Sequence, residues 1–332
     1  MRVHSRARTA VIALGAVAVL VLVCFVSVMV GNKNIPPGEV WEAVLGRGDA
    51  YATVVVESRY PRTVLGLLVG AGLAVAGVLM QAVTRNPLAE PGLMGINTGA
   101  AASVVAASAF LGASGQMQLL LWALPGALLA GAFVHLLGGR GAGASPARLV
   151  LGGAVLTAVL SAFIQAVTLS SPRTFDSYRY WVVGALTGRN FEAVWTVLPL
   201  IAVGLVVALL LGRALDAMAL GEDSAAALGA SPARVRAVGL LTAVVLSAGA
   251  TAAAGPIVFV GLAVPHLVRA LVGIDMRRQV VFAALLGAVL LLLADVVGRV
   301  LVRPQELMVG VVTAFAGAPA LLLAVRRMRA TK

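Results

Sequence analysis

The chain predicts an all-α polytopic membrane protein on three observations: 61% of its 332 residues are apolar, only 11% are charged, and the apolar residues fall in long unbroken runs. Its mean hydropathy is +1.01. A soluble domain is about one-quarter charged, so a water-exposed globule is excluded, and so is a disordered chain with this much apolar surface to bury. A transmembrane β-barrel would alternate apolar and polar positions in segments of about ten. The run at 11–30 is apolar on every face, so bundled helices remain.

Ten apolar windows read as crossings in a single transmembrane domain over 1–332: 9–30, 63–83, 93–112, 117–138, 148–169, 193–212, 237–254, 256–272, 279–298 and 305–325. The first follows Arg2, Arg6 and Arg8 and is too long for the apolar region of a cleaved signal peptide, so it reads as a retained span. The second carries Gly66 with Gly70 and Gly72 with Ala76, a small-residue spacing that lets helix backbones approach; packing accounts for it and no site is assigned there. The seventh and eighth are crowded, and Gly255-Pro256 supplies the reversal between them. The ninth holds Asp295 with Arg299 one turn later on the same face, where the two can pair.

Ten crossings put both termini on one side, and the basic clusters at the two ends then lie together in the cytoplasm, as the positive-inside rule prefers. Most of the 25 basic residues fall inside in this topology. Lys33, Arg47, Arg59, Arg62, Arg173, Arg179, Arg189, Arg299 and Arg303 fall outside, more than the rule alone predicts. The net charge of +12 forms no stripe with interleaved aromatics, so nucleic acid is not the expected partner.

Enzymatic chemistry finds no footing. Cys24 is alone within an apolar run, which excludes an internal disulfide. His4, His135 and His266 stand without carboxylate or cysteine at metal-ligand spacing, so no metal and no cofactor are expected. The glycine-rich stretch 138–145 lacks the lysine of a phosphate-binding loop. A gradient-driven secondary transporter, the main rival reading, keeps ionisable groups at mid-membrane, and among the acids only Asp295 lies inside a predicted span, Glu306 standing at the very start of the last.

Two polar segments remain. Arg85-Asn86-Pro87-Leu88-Ala89-Glu90-Pro91-Gly92 joins the second and third spans, and its prolines and Asn86 would stiffen it into a constriction or a plain turn. The longest cytoplasmic loop, 213–236, reads as two short helices on the membrane surface: Leu215, Met218 and Ala219 line one, Gly221-Glu222-Asp223 and Gly229 interrupt, and Ser231-Pro232 opens the next. A solvated loop is the simpler alternative.

At these residues the sequence resembles the FecCD-type permeases, membrane subunits of ABC importers for ferric siderophores, haem and cobalamin. The signatures occur in order: Arg59-Tyr60-Pro61-Arg62, Gln81, Asn86 through Gly92, Trp181-Val182-Val183-Gly184, Gly221-Glu222 with Ala225 and Gly229, Gly255-Pro256-Ile257-Val258-Phe259-Val260-Gly261-Leu262, Pro265-His266-Leu267-Val268-Arg269, Asp295 with Arg299, and 306–310. Met308 stands where proline is usual, and Ala320 follows Pro319 where an aromatic is common nearby.

The resemblance implies a type II ABC importer permease architecture. Its ten helices, with spans two to five and seven to ten as inverted repeats, would lie in the cytoplasmic membrane. It further implies a second permease subunit, identical or paralogous, two cytoplasmic ATPase subunits that do the hydrolysis, and an extracytoplasmic substrate-binding protein docked on Arg59, Arg62 and Arg299. Leu215, Gly221, Glu222, Ala225 and Gly229 would couple to the ATPases. Asn86 and Leu88 match an inner gate, with Ser145 as a second gate position, and Gln165 and Thr168 are expected along a weakly polar pathway.

Overall fold

A computed structural model describes residues 6–33, 35–138 and 146–330. They form thirteen α-helices and one 3-10 turn, with no strand among the described residues. In order the helices are α1 (Arg6–Met29), α2 (Pro37–Val44), α3 (Ala50–Thr84), α4 (Ile96–Phe110), α5 (Gln116–Gly138), α6 (Pro146–Ser170) and α7 (Pro172–Trp181). Then follow α8 (Phe191–Ala219), α9 (Glu222–Ala227), α10 (Pro232–Ala254), α11 (Val260–Val272), α12 (Met276–Leu301) and α13 (Val309–Ala330).

The helix α3 is the axis of the bundle. Asp49 caps it by accepting from the Ala52 N–H at 2.7 Å, and Arg85 closes it in the left-handed conformation. Its 35 residues extend about 52 Å at 1.5 Å per residue, well beyond a hydrocarbon core of about 30 Å. The first turns therefore rise clear of the membrane beside α2, and Arg59 and Arg62, assigned to a loop by the sequence reading, are helical. Buried residues ring α3 on every side over its lower two-thirds; α12, α10, α11 and α8 surround it.

Glycine makes those contacts possible. A Cβ at Gly70 would come 2.8 Å from Ala288 Cα on α12, and one at Gly77 would come 2.7 Å from Gly261 Cα on α11. In lipid, where apolar side chains gain little by leaving the solvent, such backbone approach supplies the dispersion contacts that hold helices together. By contrast, α1 and α6 leave most of their apolar surface exposed and form the rim.

Seven helices among the described residues are long and apolar enough to cross a membrane, and three apolar helices are shorter: α4, α11 and the first part of α13, Val309–Pro319. Together they account for ten; α4 and α11 are too short to cross alone, whereas α13 continues to Ala330. The helices α4 and α11, at 15 and 13 residues, rise only about 22 and 20 Å. Irregular segments, 85–95 and 255–259, complete their depth. Each follows a long buried helix, α3 or α10, so the α3–α6 and α10–α13 series repeat the same long-helix, break, short-helix order. Irregular backbone at this depth must be satisfied by protein: the Ala185 N–H donates to the Ala254 carbonyl at 2.7 Å and the Gly310 N–H to the Gly184 carbonyl at 3.1 Å.

The inner loop departs from the expected pair of surface helices. Leu215, Met218 and Ala219 belong to the last turns of α8, and only the six-residue α9 is separate. A helix already running through apolar residues has no reason to stop before Gly221, whose φ of +118° ends it. Ser231 and Pro232 do open α10. Outside, α7 is an added element, capped by Ser171 and anchored by buried Trp181.

Candidate functional site

Three stations along the bundle gather the residues singled out from the sequence. At the outer end, Arg59 and Arg62 on α3 meet Asp295 and Arg299 on α12, with Glu306 from the following segment. Arg62 grips Asp295 with Nε (3.1 and 3.2 Å) and Nη2 (2.8 Å), and its Nη1 donates to Glu306 at 2.9 Å. Arg299 donates to Asp295 through Nε (2.9 Å) and Nη2, so one carboxylate holds two guanidiniums. The remaining donors go to the end of α1. Arg59 donates to the carbonyls of Val28 (2.8 Å) and Met29 (3.0 Å), Arg299 to those of Ser27 (2.6 Å) and Val30 (3.1 Å), and Arg303 to that of Gly31 (2.9 Å). The last carbonyls of a helix lack intrahelical partners and carry its negative dipole end, so Arg59 and Arg299 cap α1, and Arg299 also shares Asp295 with Arg62.

The resemblance implies docking on Arg59, Arg62 and Arg299, and the structure shows all three already engaged within the protein. Arg59, Arg62 and Arg299 are 5, 9 and 1% exposed, because each finds acceptors inside. Beside them opens a cavity of about 520 Å³ lined by Lys33, Arg59, Arg62, Arg189, Asn190 and Glu306, among others. Arg189 comes from the loop before α8, and burial pulls its guanidinium down to about 10, so it is still charged at neutral pH. Cations outnumber carboxylates around this cavity, and it offers positive potential outward.

Between the two ends of the bundle the irregular segments touch. The Glu90 carboxylate accepts from the Phe259 N–H at 3.0 Å, where Phe259 stands in the left-handed region as the residue preceding α11. Glu90 was read as a loop acid; its position against a half-helix start was visible only in three dimensions. Nearby, Thr251 donates to Asn97 at 2.9 Å. A second cavity of about 580 Å³ carries Asn97, Ser161, Gln165, Thr168, Tyr178 and Pro256 on its walls. Gln165 and Thr168 thus share one space, though the Thr168 hydroxyl donates to the Ile164 carbonyl at 2.7 Å. No charged side chain lines it.

On the inner side Asn86 accepts from the Leu88 N–H at 3.0 Å, an Asx turn that holds Leu88 out, 39% exposed. Ser145 lies outside the described residues. Leu215 and Ala225 are buried and seat α9 on the end of α8, while Gly221 and Gly229, with φ of +118° and +84°, bound it. Glu222 pairs with Arg236. The apolar side chains flanking α9 are Leu220 and Leu228, 71 and 68% exposed, which the sequence reading passes over; an apolar residue beside each of the two glycines is the available signal.

The chain matches the model of the FecCD transport family over residues 19–327. It belongs to that family. Its FecCD relatives include the ferric enterobactin transport system permease protein FepD of Escherichia coli (strain K12), 44% identical over 94% of both chains. Another is the probable siderophore transport system permease protein YfiZ of Bacillus subtilis (strain 168), 36% identical over 93% of this chain and 96% of that one. A solved structure described as an inward-facing conformation of a metal-chelate type ABC transporter superposes with a TM-score of 0.83 at 29% identity, covering 95% of this chain and 99% of the other.

FecCD membership makes this chain a membrane-embedded permease of the ABC transporter kind and not an enzyme. The FecCD signatures, scattered through the sequence, converge in space. Trp181 through Gly184 lies against Gly255-Pro256, and Gly184 receives the Gly310 amide. Met308, where this FecCD chain departs from proline, accepts from the N–H groups of Val311 (3.0 Å) and Val312 (3.4 Å) and so starts α13 without it. The side chain of Ala320 lies outside the described residues.

Proposed function

We propose that this permease imports ferric siderophores, or closely related iron chelates, across the cytoplasmic membrane by ATP-driven alternating access, with both termini in the cytoplasm. The observation that carries the reading is the pair of half-helices meeting between the two ends of the bundle beside a large uncharged cavity. A mainly apolar wall with scattered amides and hydroxyls and no fixed charge lets a bulky chelate pass without trapping it, and discontinuous helices at the centre are where alternating-access folds rearrange. Kinship with permeases named for ferric enterobactin and siderophores supports an iron chelate over haem or cobalamin.

The partners follow from the surfaces. A second permease subunit completes the pathway along the exposed face of α6. Two cytoplasmic ATPase subunits seat α9 through Leu220 and Leu228, with Gly221, Glu222, Ala225 and Gly229 setting its posture and Leu215 its seat. An extracytoplasmic binding protein docks its carboxylates over the outer cavity, which Arg59 lines with Lys33, Arg62 and Arg189. Arg62 and Arg299 serve docking by holding the corner together. Asn86 and Leu88 close the inner end, and Ser145 is assigned to the same gate by resemblance.

Proteoliposomes holding the permease with its ATPase subunits, supplied with binding protein carrying a ferric tris-catecholate, test the reading. Uptake requires ATP inside with the ATPases and survives collapse of the proton gradient. Uptake that follows the gradient and ignores ATP would return the chain to the secondary-transporter class.

A further inference from the structure

We propose that residues 85–92 act as a rigid strut linking the ATPase-facing end of α8 to the buried start of α11, with Arg85 and Glu90 as its two positioning residues. This rests on the importer reading above and names how inner-face motion reaches mid-membrane.

Both ends of the segment are fastened to elements far away in sequence. At the inner end Arg85 Nη2 donates to the Met218 carbonyl at 2.9 Å, the same carbonyl that receives the Gly221 N–H at 3.2 Å. Arg85 therefore grips the joint at which α8 hands over to α9. The last turns of α8 are tied a second time, since Asp216 accepts from the Met276 N–H at the start of α12 at 3.0 Å. At the other end Glu90 holds the Phe259 amide, and a Cβ at Gly261 would lie 3.3 Å from Pro91 Cδ, so the segment abuts the first turn of α11.

Between these anchors the backbone is stiff. Pro87 and Pro91 have fixed φ, Asn86 closes an Asx turn on Leu88, the Ala89 N–H returns to the Asn86 carbonyl at 3.1 Å, and Ala89 is buried. A segment held at both ends and braced within transmits displacement instead of absorbing it. Movement of α9 shifts the Met218 carbonyl, carries Arg85 and the exposed Leu88 with it, and moves the N-terminus of α11 in the opposite repeat. Gate and half-helix then move as one body.

The test uses the permease assembled with its ATPase subunits and binding protein. Two readouts are taken: ferric tris-catecholate imported per ATP hydrolysed, and amide hydrogen exchange of the peptide containing Phe259. Arg85→Ala removes a surface donor outside the packed core. Glu90→Leu removes the buried acceptor, while Glu90→Gln keeps an acceptor oxygen at nearly the same place. Arg85→Ala and Glu90→Leu are expected to lower ligand moved per ATP roughly tenfold, the factor set by one lost charge-assisted hydrogen bond, with hydrolysis continuing. Each speeds exchange at Phe259 by a similar factor, and Glu90→Gln stays near wild type in both. Unchanged exchange at Phe259 in Arg85→Ala overturns the strut, as does a wild-type transport ratio in that variant. If Glu90→Leu fails to assemble, Arg85→Ala alone decides. A wild-type complex that moves no chelate with ATP counts against the importer reading, while the exchange comparison still judges the strut.

Discussion

Asp295 and Arg62, 233 residues apart in the chain, lock α12 to α3 by a bidentate ion pair whose closest contact is 2.8 Å. The same carboxylate is shared with Arg299, and both arginines are otherwise engaged with Glu306 and with the end of α1. The outer corner of the permease is thus an electrostatic knot with one anion at its centre.

Replacing that anion should be the most damaging single change at the corner. Asp295→Asn leaves two buried guanidiniums facing each other, and breaking a buried pair costs about 3–5 kcal/mol. Glu306→Gln, at an edge where the side chain is 15% exposed, should cost clearly less. Thermal unfolding of the purified protein in detergent gives the order, and equal losses would mean the knot is not centred on Asp295.

Docking should depend on the Arg59 charge. Arg59→Gln removes a charge from the cavity wall while keeping an amide donor for the α1 carbonyls, so binding-protein association should weaken and lose part of its salt dependence, because charge at a docking surface acts chiefly on the encounter rate. Association kinetics at two ionic strengths measure both. Arg62→Glu would confound this test by placing a third carboxylate beside Asp295 and Glu306.

A pH limb follows from Arg189. Its guanidinium is pulled down to about 10 by burial, below its unfolded value, so the charge is fully present at neutral pH in folded and unfolded protein alike and is lost first in the folded protein as the pH rises through 10. Association with the binding protein should therefore weaken over about one unit either side of that value. Arg189→Gln should bind more weakly at pH 7 and remove that limb, and a limb that persists in the variant belongs to another group.

The inner face offers a test that separates coupling from stability. Leu228→Asp changes an exposed apolar side chain on the far side of α9 from its buried seat, so the unfolding temperature should barely move. ATP-driven uptake should fall several-fold if α9 meets the ATPases there. Loss of the Glu222–Arg236 pair should cost less than about 1 kcal/mol, since both side chains are partly exposed.

Packing around the axis can be probed at Gly77. Gly77→Leu forces a side chain against the Gly261 backbone, and overpacking of that kind costs about 1–3 kcal/mol or more. The folded yield and unfolding temperature should drop together, whereas a leucine at exposed Gly15, where nothing lies within 4 Å of a Cβ, should be tolerated.

Composition and run length were enough to read the helical membrane class and the ten apolar windows, because the requirement to satisfy every backbone group in lipid leaves few architectures and stamps itself on each segment locally. The Asp295 and Arg299 pair was legible for the same reason, being one turn apart. Nothing local distinguished α4 and α11, which enter the bundle part-way, from complete crossings, since a half-helix is as apolar as a whole one. Nor could spacing reveal that Arg59 and Arg299 turn inward to cap α1, that Arg62 turns to Asp295 and Glu306, or that Glu90 reaches Phe259. Those partners lie from 30 to 272 residues away. They become neighbours only when glycine faces let the helices close on one another, and at that point the burial of each charge is set by which acceptors the packing delivers to it.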